Sequence, residues 1–114
     1  VKMNILNMVM EMVEVFNNKT ESYLKECAEK AGMSYEEYRS IFNKRYEVEM
    51  GKKYLKIWYS QNDTSKSIVM FVDEEGNILK PESYKRPSKG VRGHMTDWRK
   101  SVNMSDNCHL FSVK

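Results

Sequence analysis

The sequence predicts an α+β fold: two or three N-terminal helices packed on a small three- to four-stranded antiparallel sheet, with a basic loop after the hairpin. Three observations carry this reading. Apolar residues recur at helical spacing through the first third of the chain. After Gly51 the pattern changes to short runs rich in aromatic and β-branched residues. Between two of those runs lies Asp73-Glu74-Glu75-Gly76-Asn77, a hairpin sequence in which Gly76 is free to take positive φ.

Residues 4–17 read as a helix with Ile5, Val9, Met12, Val13 and Phe16 on its inner face, widened by Leu6. Met8, Met10 and Val15 fall outside that stripe. A core helix wrapped on several sides explains them. So does a Met-rich face that docks a second copy or a partner, because Met adapts to irregular surfaces. Asn17-Asn18-Lys19-Thr20 breaks the pattern. A second helix is expected from Thr20 or Glu21 to Ala31, with Tyr23, Leu24, Cys27, Ala28 and Ala31 inward and Gly32 as a left-handed stop. Ser34 and Glu37 have the spacing of a capping box. They open a third helix with Tyr35, Tyr38, Ile41, Phe42 and, at its far end, Tyr46 on the apolar side.

Lys53–Tyr59 reads as a strand, Gln61–Lys66 as a polar turn and Ser67–Val72 as a central strand. Ile78-Leu79-Lys80 starts the return strand, which Pro81 ends. From Pro81 to Gly93 the chain is expected to be mostly loop, because the residues before Pro81 and Pro87 are pushed away from helix. Thr96–Arg99 is expected to start a short helix or turn. Leu110-Phe111-Ser112-Val113 is expected to form a last edge strand.

The 114 residues suit one domain, with residues 1–50 as its helical part and 51–114 as sheet and basic loop. No apolar run approaches a membrane span, and Glu11 and Glu14 interrupt the longest. There is no signal-peptide pattern, so a cytoplasmic protein with no membrane partner is expected. Cys27 and Cys108 are the only cysteines, too few for a disulfide framework, and read as small buried hydrophobes. His94 and His109 are the only histidines. Without Cys-x-x-Cys or His-x-x-x-His spacing, no metal site and no cofactor are expected.

Charge is divided unevenly. Residues 1–50 carry −2, residues 51–75 are neutral, and residues 76–114 carry +5, against +3 for the whole chain. Within Lys80–Lys100 seven bases face two acids, Glu82 and Asp97. The candidate binding residues are therefore Lys80, Lys85, Arg86, Lys89, Arg92 and Arg99, with Tyr84 and Trp98 placed to stack on bases. Arg can hold phosphate in a forked geometry. Gly90 and Gly93 allow close backbone approach, and Pro81 and Pro87 stiffen the loop. A solvated loop with its cations paired to Asp73, Glu74 and Glu82 fits the same residues.

Two other constellations stand beside this one. Leu24–Phe42 has helix-turn-helix spacing, with Ala28, Gly32, Tyr38 and Ile41 at the packing and turn positions. In such a motif Tyr35, Glu36, Arg39, Ser40 and Asn43 would face a DNA groove. Glu36 and Glu37 would there meet phosphates, which counts against it. His94 and His109 could run metal-independent RNA cleavage as base and acid if the fold brought them together.

Residues Ser67–His94 contain Phe71-Val72-Asp73, Gly76-Asn77-Ile78, Lys80-Pro81, Ser83-Tyr84-Lys85-Arg86-Pro87 and Arg92-Gly93. This segment resembles a group of small tailed-bacteriophage proteins of unassigned function, in which tryptophan is commoner than Tyr84. The resemblance covers about a quarter of the chain. It implies a phage or prophage origin and carries over no activity and no catalytic residue. The function expected is that of a non-enzymatic accessory protein binding DNA or RNA through the cationic loop. The alternative is a host-directed inhibitor, of anti-defence or anti-CRISPR-like type, that binds an acidic host protein. A homodimer through the Met-rich first helix is a further expected association, and a small nuclease is the minor alternative.

Overall fold

The N-terminal apolar stripe folds into a single long helix. In the computed structural model, which describes residues 2–104 and 108–110, α1 runs over Met3–Ala31 and α2 over Tyr35–Ile41. The strands are β1 (Lys44–Met50), β2 (Leu55–Gln61), β3 (Ser65–Val72), β4 (Asn77–Pro81) and β5 (Pro87–His94). A 3₁₀ segment, Met95–Lys100, and a small hairpin of β6 (Val102–Asn103) and β7 (His109–Leu110) complete the described chain. Strands β1 to β5 form one antiparallel sheet in sequence order. The α+β class is as expected, with five strands in the main sheet rather than three or four.

Ile5, Val9, Met12, Val13 and Phe16 are all buried. They pack on Leu55, Ile57, Met70, Val72 and Ile78, the inward positions of β2, β3 and β4. Met95, Val102 and Cys108 close the core beside the helix. At ~1.5 Å per residue the 29 residues of α1 span about 43 Å, close to the molecule's 45 Å long axis.

The break expected at Asn17–Thr20 is absent. Asn17 Nδ2 donates to the Tyr46 carbonyl (3.1 Å), and the Tyr46 N–H donates to Asn17 Oδ1 (2.7 Å). One amide side chain thus pairs both backbone groups of an edge strand, as a further strand would. Thr20 Oγ1 bonds the Phe16 carbonyl (2.9 Å) within the helix. The polar residues that read as a break are helix-compatible, and one of them docks the sheet.

The helix ends where expected, with Gly32 left-handed at φ 69°. Ser34 Oγ accepts the Glu37 N–H (3.2 Å), so α2 starts on its cap. It then ends at Ile41, and residues 44–50 leave as β1. Tyr46, expected at the end of a third helix, is a buried β1 residue instead. Tyr23, Ala31, Ile41 and Phe42, expected inward, are exposed, whereas Leu24 and Ala28 of the same expected face are buried.

Gly76 turns the β3–β4 hairpin at φ 87°. A Cβ there would lie 2.8 Å from Ile5 Cδ1 and 2.9 Å from His94 Nε2, so the site needs glycine for both φ and space. The expected edge strand over residues 110–113 pairs at Leu110 in β7, and residues 111–113 lie outside the described residues. Cys27 and Cys108 are free thiols, half-buried and buried. No helix among the described residues is long and apolar enough to cross a membrane.

Candidate nucleic-acid interface

The segment read as a loop from Pro81 to Gly93 is largely strand. Pro87–His94 forms β5 and pairs with β4 through Asn77↔His94, Ile78↔Gly93, Leu79↔Val91 and Pro81↔Pro87. Pro87 is tolerated because it stands at the first residue of an edge strand. The true loop is the five residues 82–86.

That turn is built and aimed by its neighbours. β4 pairs with β3 at two rungs only, Phe71↔Leu79 and Val72↔Ile78. Beyond them the β4–β5 hairpin leaves β3, and its turn leans over the sheet face opposite the helix. Lys56 Nζ donates to the Tyr84 carbonyl across that face (2.9 Å). Within the turn the Glu82 and Ser83 N–H groups both donate to the Arg86 carbonyl (3.1 Å each). The Lys85 N–H donates to Ser83 Oγ (3.2 Å), and Arg86 Nε pairs with Glu82 Oε2 (2.8 Å). Phe71 and Leu79, alternating with the core positions of their strands, lie buried on this outer face. The Tyr54 ring meets Phe71 edge-on at 5.7 Å, and Lys56 Nζ stands 5.7 Å over the Phe71 ring.

The cations form a belt rather than a single patch. Lys85 and Arg86 stand on the turn with Tyr84, which is 58% exposed, and Lys85 Nζ lies 5.6 Å from the Tyr84 ring centroid. Lys89 follows on the exposed stretch of edge strand β5, with open space around Gly90. Arg92 is the extra residue of a bulge opposite Ile78 and Leu79, and its carbonyl accepts from Ser101 Oγ (3.1 Å). Lys80 alternates with Leu79 and so stands on the helix side of the sheet. Arg99 and Lys100 lie on the 3₁₀ segment, also on the helix side. Among the described residues, no carboxylate pairs with Lys80, Lys85, Lys89 or Lys100.

Two expected contributors have other duties. Trp98 packs on the core, its ring 5.6 Å from Phe16 at 86°, and the Arg99 guanidinium covers its face at 4.4 Å. It anchors the 3₁₀ segment and offers no free stacking face. Gly93 does allow a close approach, but to the protein itself: a Cβ there would lie 1.9 Å from Ser101 Oγ. Conversely, Lys56 and Tyr54 were not singled out by sequence. The alternation in Leu55–Tyr59 was the available signal, since it places Lys56 and Trp58 opposite Leu55 and Ile57.

The helical hairpin has the spacing read from Leu24–Phe42, but its second helix has seven residues, none of them buried. Glu36 and Glu37 are exposed in its first turn. Arg39 bonds the Tyr35 hydroxyl, and Lys25 Nζ lies 5.3 Å over the Tyr35 ring. Ser40 donates to the Glu37 carbonyl (2.7 Å), and the Asn43 N–H donates to Asn62 Oδ1 (2.8 Å). Three of the five expected groove-facing side chains, Tyr35, Arg39 and Ser40, are thus engaged locally, and Asn43 is tied through its backbone.

Both His94 nitrogens are spoken for. Nε2 lies 2.7 Å from the Glu75 carbonyl, an acceptor, so Nε2 carries the proton. Nδ1 accepts the Thr96 N–H (3.2 Å) and caps the 3₁₀ segment. His109 sits on β7 opposite Asn103. Among the described residues no group of His, Cys, Asp or Glu is arranged to hold a metal ion. Burial pushes the Tyr46 and Tyr59 phenols and the Cys108 thiol up on the core side, and desolvation with the neighbouring Cys27 pushes the Tyr38 phenol up on α2.

Fold and surface together define a small α+β protein with one helix-covered sheet face and a basic hairpin at the sheet's edge. The chain belongs to a family of unknown function, DUF7717, whose model matches residues 1–110. No curated protein and no solved structure matches the chain.

Proposed function

We propose that this is a non-enzymatic accessory protein of phage or prophage origin that binds nucleic acid in the host cytoplasm. The observation that carries the reading is the ordered turn at residues 82–86, continued by the edge strand, which together present Lys85, Arg86 and Lys89 beside an exposed Tyr84. Lys56 joins them from the sheet face, and Lys80, Arg92 and Arg99 extend the charge around the edge. Cations held at fixed spacing attract phosphates through counterion release, independently of sequence. With Trp98 committed to the core, Tyr84 supplies the aromatic contact.

A mobility-shift titration against DNA and RNA at low salt tests this. A shift is expected, and the variant K85Q/R86Q/K89Q should lose it. No shift, or a shift that the variant retains, would refute the reading.

A second reading, inhibition of a host protein by direct binding, draws on different surfaces. Tyr23, Ile41 and Phe42 are exposed on the helical hairpin, and Met3 and Met10 are exposed seven positions apart on α1. It predicts one host protein that co-purifies after nuclease treatment and is lost in the I41S/F42S variant. Co-purification unchanged by that variant would count against it.

A further inference from the structure

We infer that the polymer bound at this edge is single-stranded, with a base stacked on Tyr84 and the adjoining backbone phosphates on Lys85 and Lys56. This inference rests on the nucleic-acid reading above and names its substrate class.

Tyr84 is a large aromatic side chain at 58% exposure, and its exposure is built in rather than incidental. Its carbonyl is fixed by Lys56 Nζ (2.9 Å). The turn around it is closed by two N–H bonds to the Arg86 carbonyl and by the Arg86–Glu82 ion pair. The backbone that carries the ring is therefore ordered before any ligand arrives, which lowers the entropy lost on contact. The only acid in the turn, Glu82, is already paired with Arg86, so Lys85 and Lys56 face phosphate without a competing carboxylate from the turn. The turn that carries the ring is tied by Lys56 to the helix-free side of the sheet, where Tyr54 is half-buried and Phe71 and Leu79 are buried.

A ring at a turn tip can stack only on a base whose face is free. In a duplex both faces are covered by neighbouring bases, whereas single strands offer them readily. Duplex reading calls for an element that enters a groove. The one short exposed helix, α2, opens with Glu36 and Glu37, which phosphates repel. The helix-free sheet face beside the turn, with Lys56 and Tyr54 and with Glu47 and Glu49 held by Lys66 and Trp58 toward the far edge, instead suits a splayed strand, the way antiparallel sheets in RNA-binding modules use their open faces.

The test is fluorescence anisotropy with labelled oligonucleotides of one sequence, as single-stranded DNA, single-stranded RNA and DNA duplex, at low salt. Single strands should bind at least about tenfold tighter than the duplex. Y84A should weaken single-strand binding by about 5- to 150-fold, the range for losing one stacked base, and Y84F should restore it. Because the side chain is exposed, Y84A should keep the wild-type unfolding midpoint. Duplex affinity should not change in Y84A. If the duplex binds as tightly as the single strands, or Y84A matches wild type, while K85Q/R86Q/K89Q still abolishes binding, the single-strand inference falls and the phosphate-binding reading stands. If no polymer binds, both fall.

Discussion

Replacing Tyr46 with Phe removes one oxygen from the point where helix, sheet and C-terminal hairpin meet. Tyr46 is 4% exposed. Its ring packs against Phe16 (5.2 Å) and Tyr59 (5.1 Å), contacts that Phe preserves. Its backbone stays paired to Asn17. What changes is the hydroxyl, which accepts the buried Cys108 N–H at 2.9 Å. With no cavity opened, the cost is that of leaving a buried donor without a partner, about 1–3 kcal/mol. For a domain of this size each kcal/mol lowers the melting midpoint by about 4 °C. Urea unfolding should therefore show a lower midpoint with an unchanged slope, since no extra surface is exposed. Hydrogen exchange at the Cys108 amide should speed up in parallel. A loss below about 0.5 kcal/mol with Cys108 protection unchanged would mean that this bond does not hold the hairpin to the core.

Three more outcomes follow from the packing. Stability should fall at alkaline pH: burial keeps the Tyr46 and Tyr59 phenols and the Cys108 thiol protonated in the folded state. The unfolded chain then releases protons first as pH rises through about 9–10 and gains up to about 1.4 kcal/mol per unit and group, so stability is full below that range and declines above it. The decline should be shallower in Y46F, measured by urea titrations at stepped pH. G93A places a Cβ 1.9 Å from Ser101 Oγ and should cost about 1–3 kcal/mol; a double-mutant cycle with S101A should recover part of it, and strict additivity would show that the two do not touch. S34A removes the cap of α2 and should cost about 1 kcal/mol or less, while leaving nucleic-acid affinity unchanged, because the proposed interface lies at the other sheet edge.

The inward stripe of α1, the Gly32 stop, the Ser34 cap, the Gly76 turn and the 3₁₀ segment were legible because each depends on neighbouring residues alone. β1 was not, since Ile41, Phe42 and Tyr46 also satisfy helical spacing. The Arg45–Met50 alternation wins because β2 supplies a register for it. β5 was missed for a different reason. Its sequence has one apolar side chain, Val91, between Lys89 and Gly93, and an edge strand held by β4's hydrogen bonds needs no apolar alternation. At the proposed interface, the charge excess and Tyr84 could be read from the sequence. The role of Trp98 could not: a tryptophan among cations looks like a stacking group, and only the approach of α1 turns it toward Phe16. Lys56 was hidden for the same kind of reason, as its partner is a backbone carbonyl 28 positions away.

Salt dependence of single-strand affinity tests the cationic edge most directly. Each phosphate neutralised on a single strand contributes about −0.7 to the slope of log affinity against log salt. Comparing wild type by anisotropy with K85Q, which keeps the other cations and so still binds, the variant's slope should be shallower by about 0.7, the share of one cation. Equal slopes for the two proteins would mean that phosphates do not sit on this hairpin.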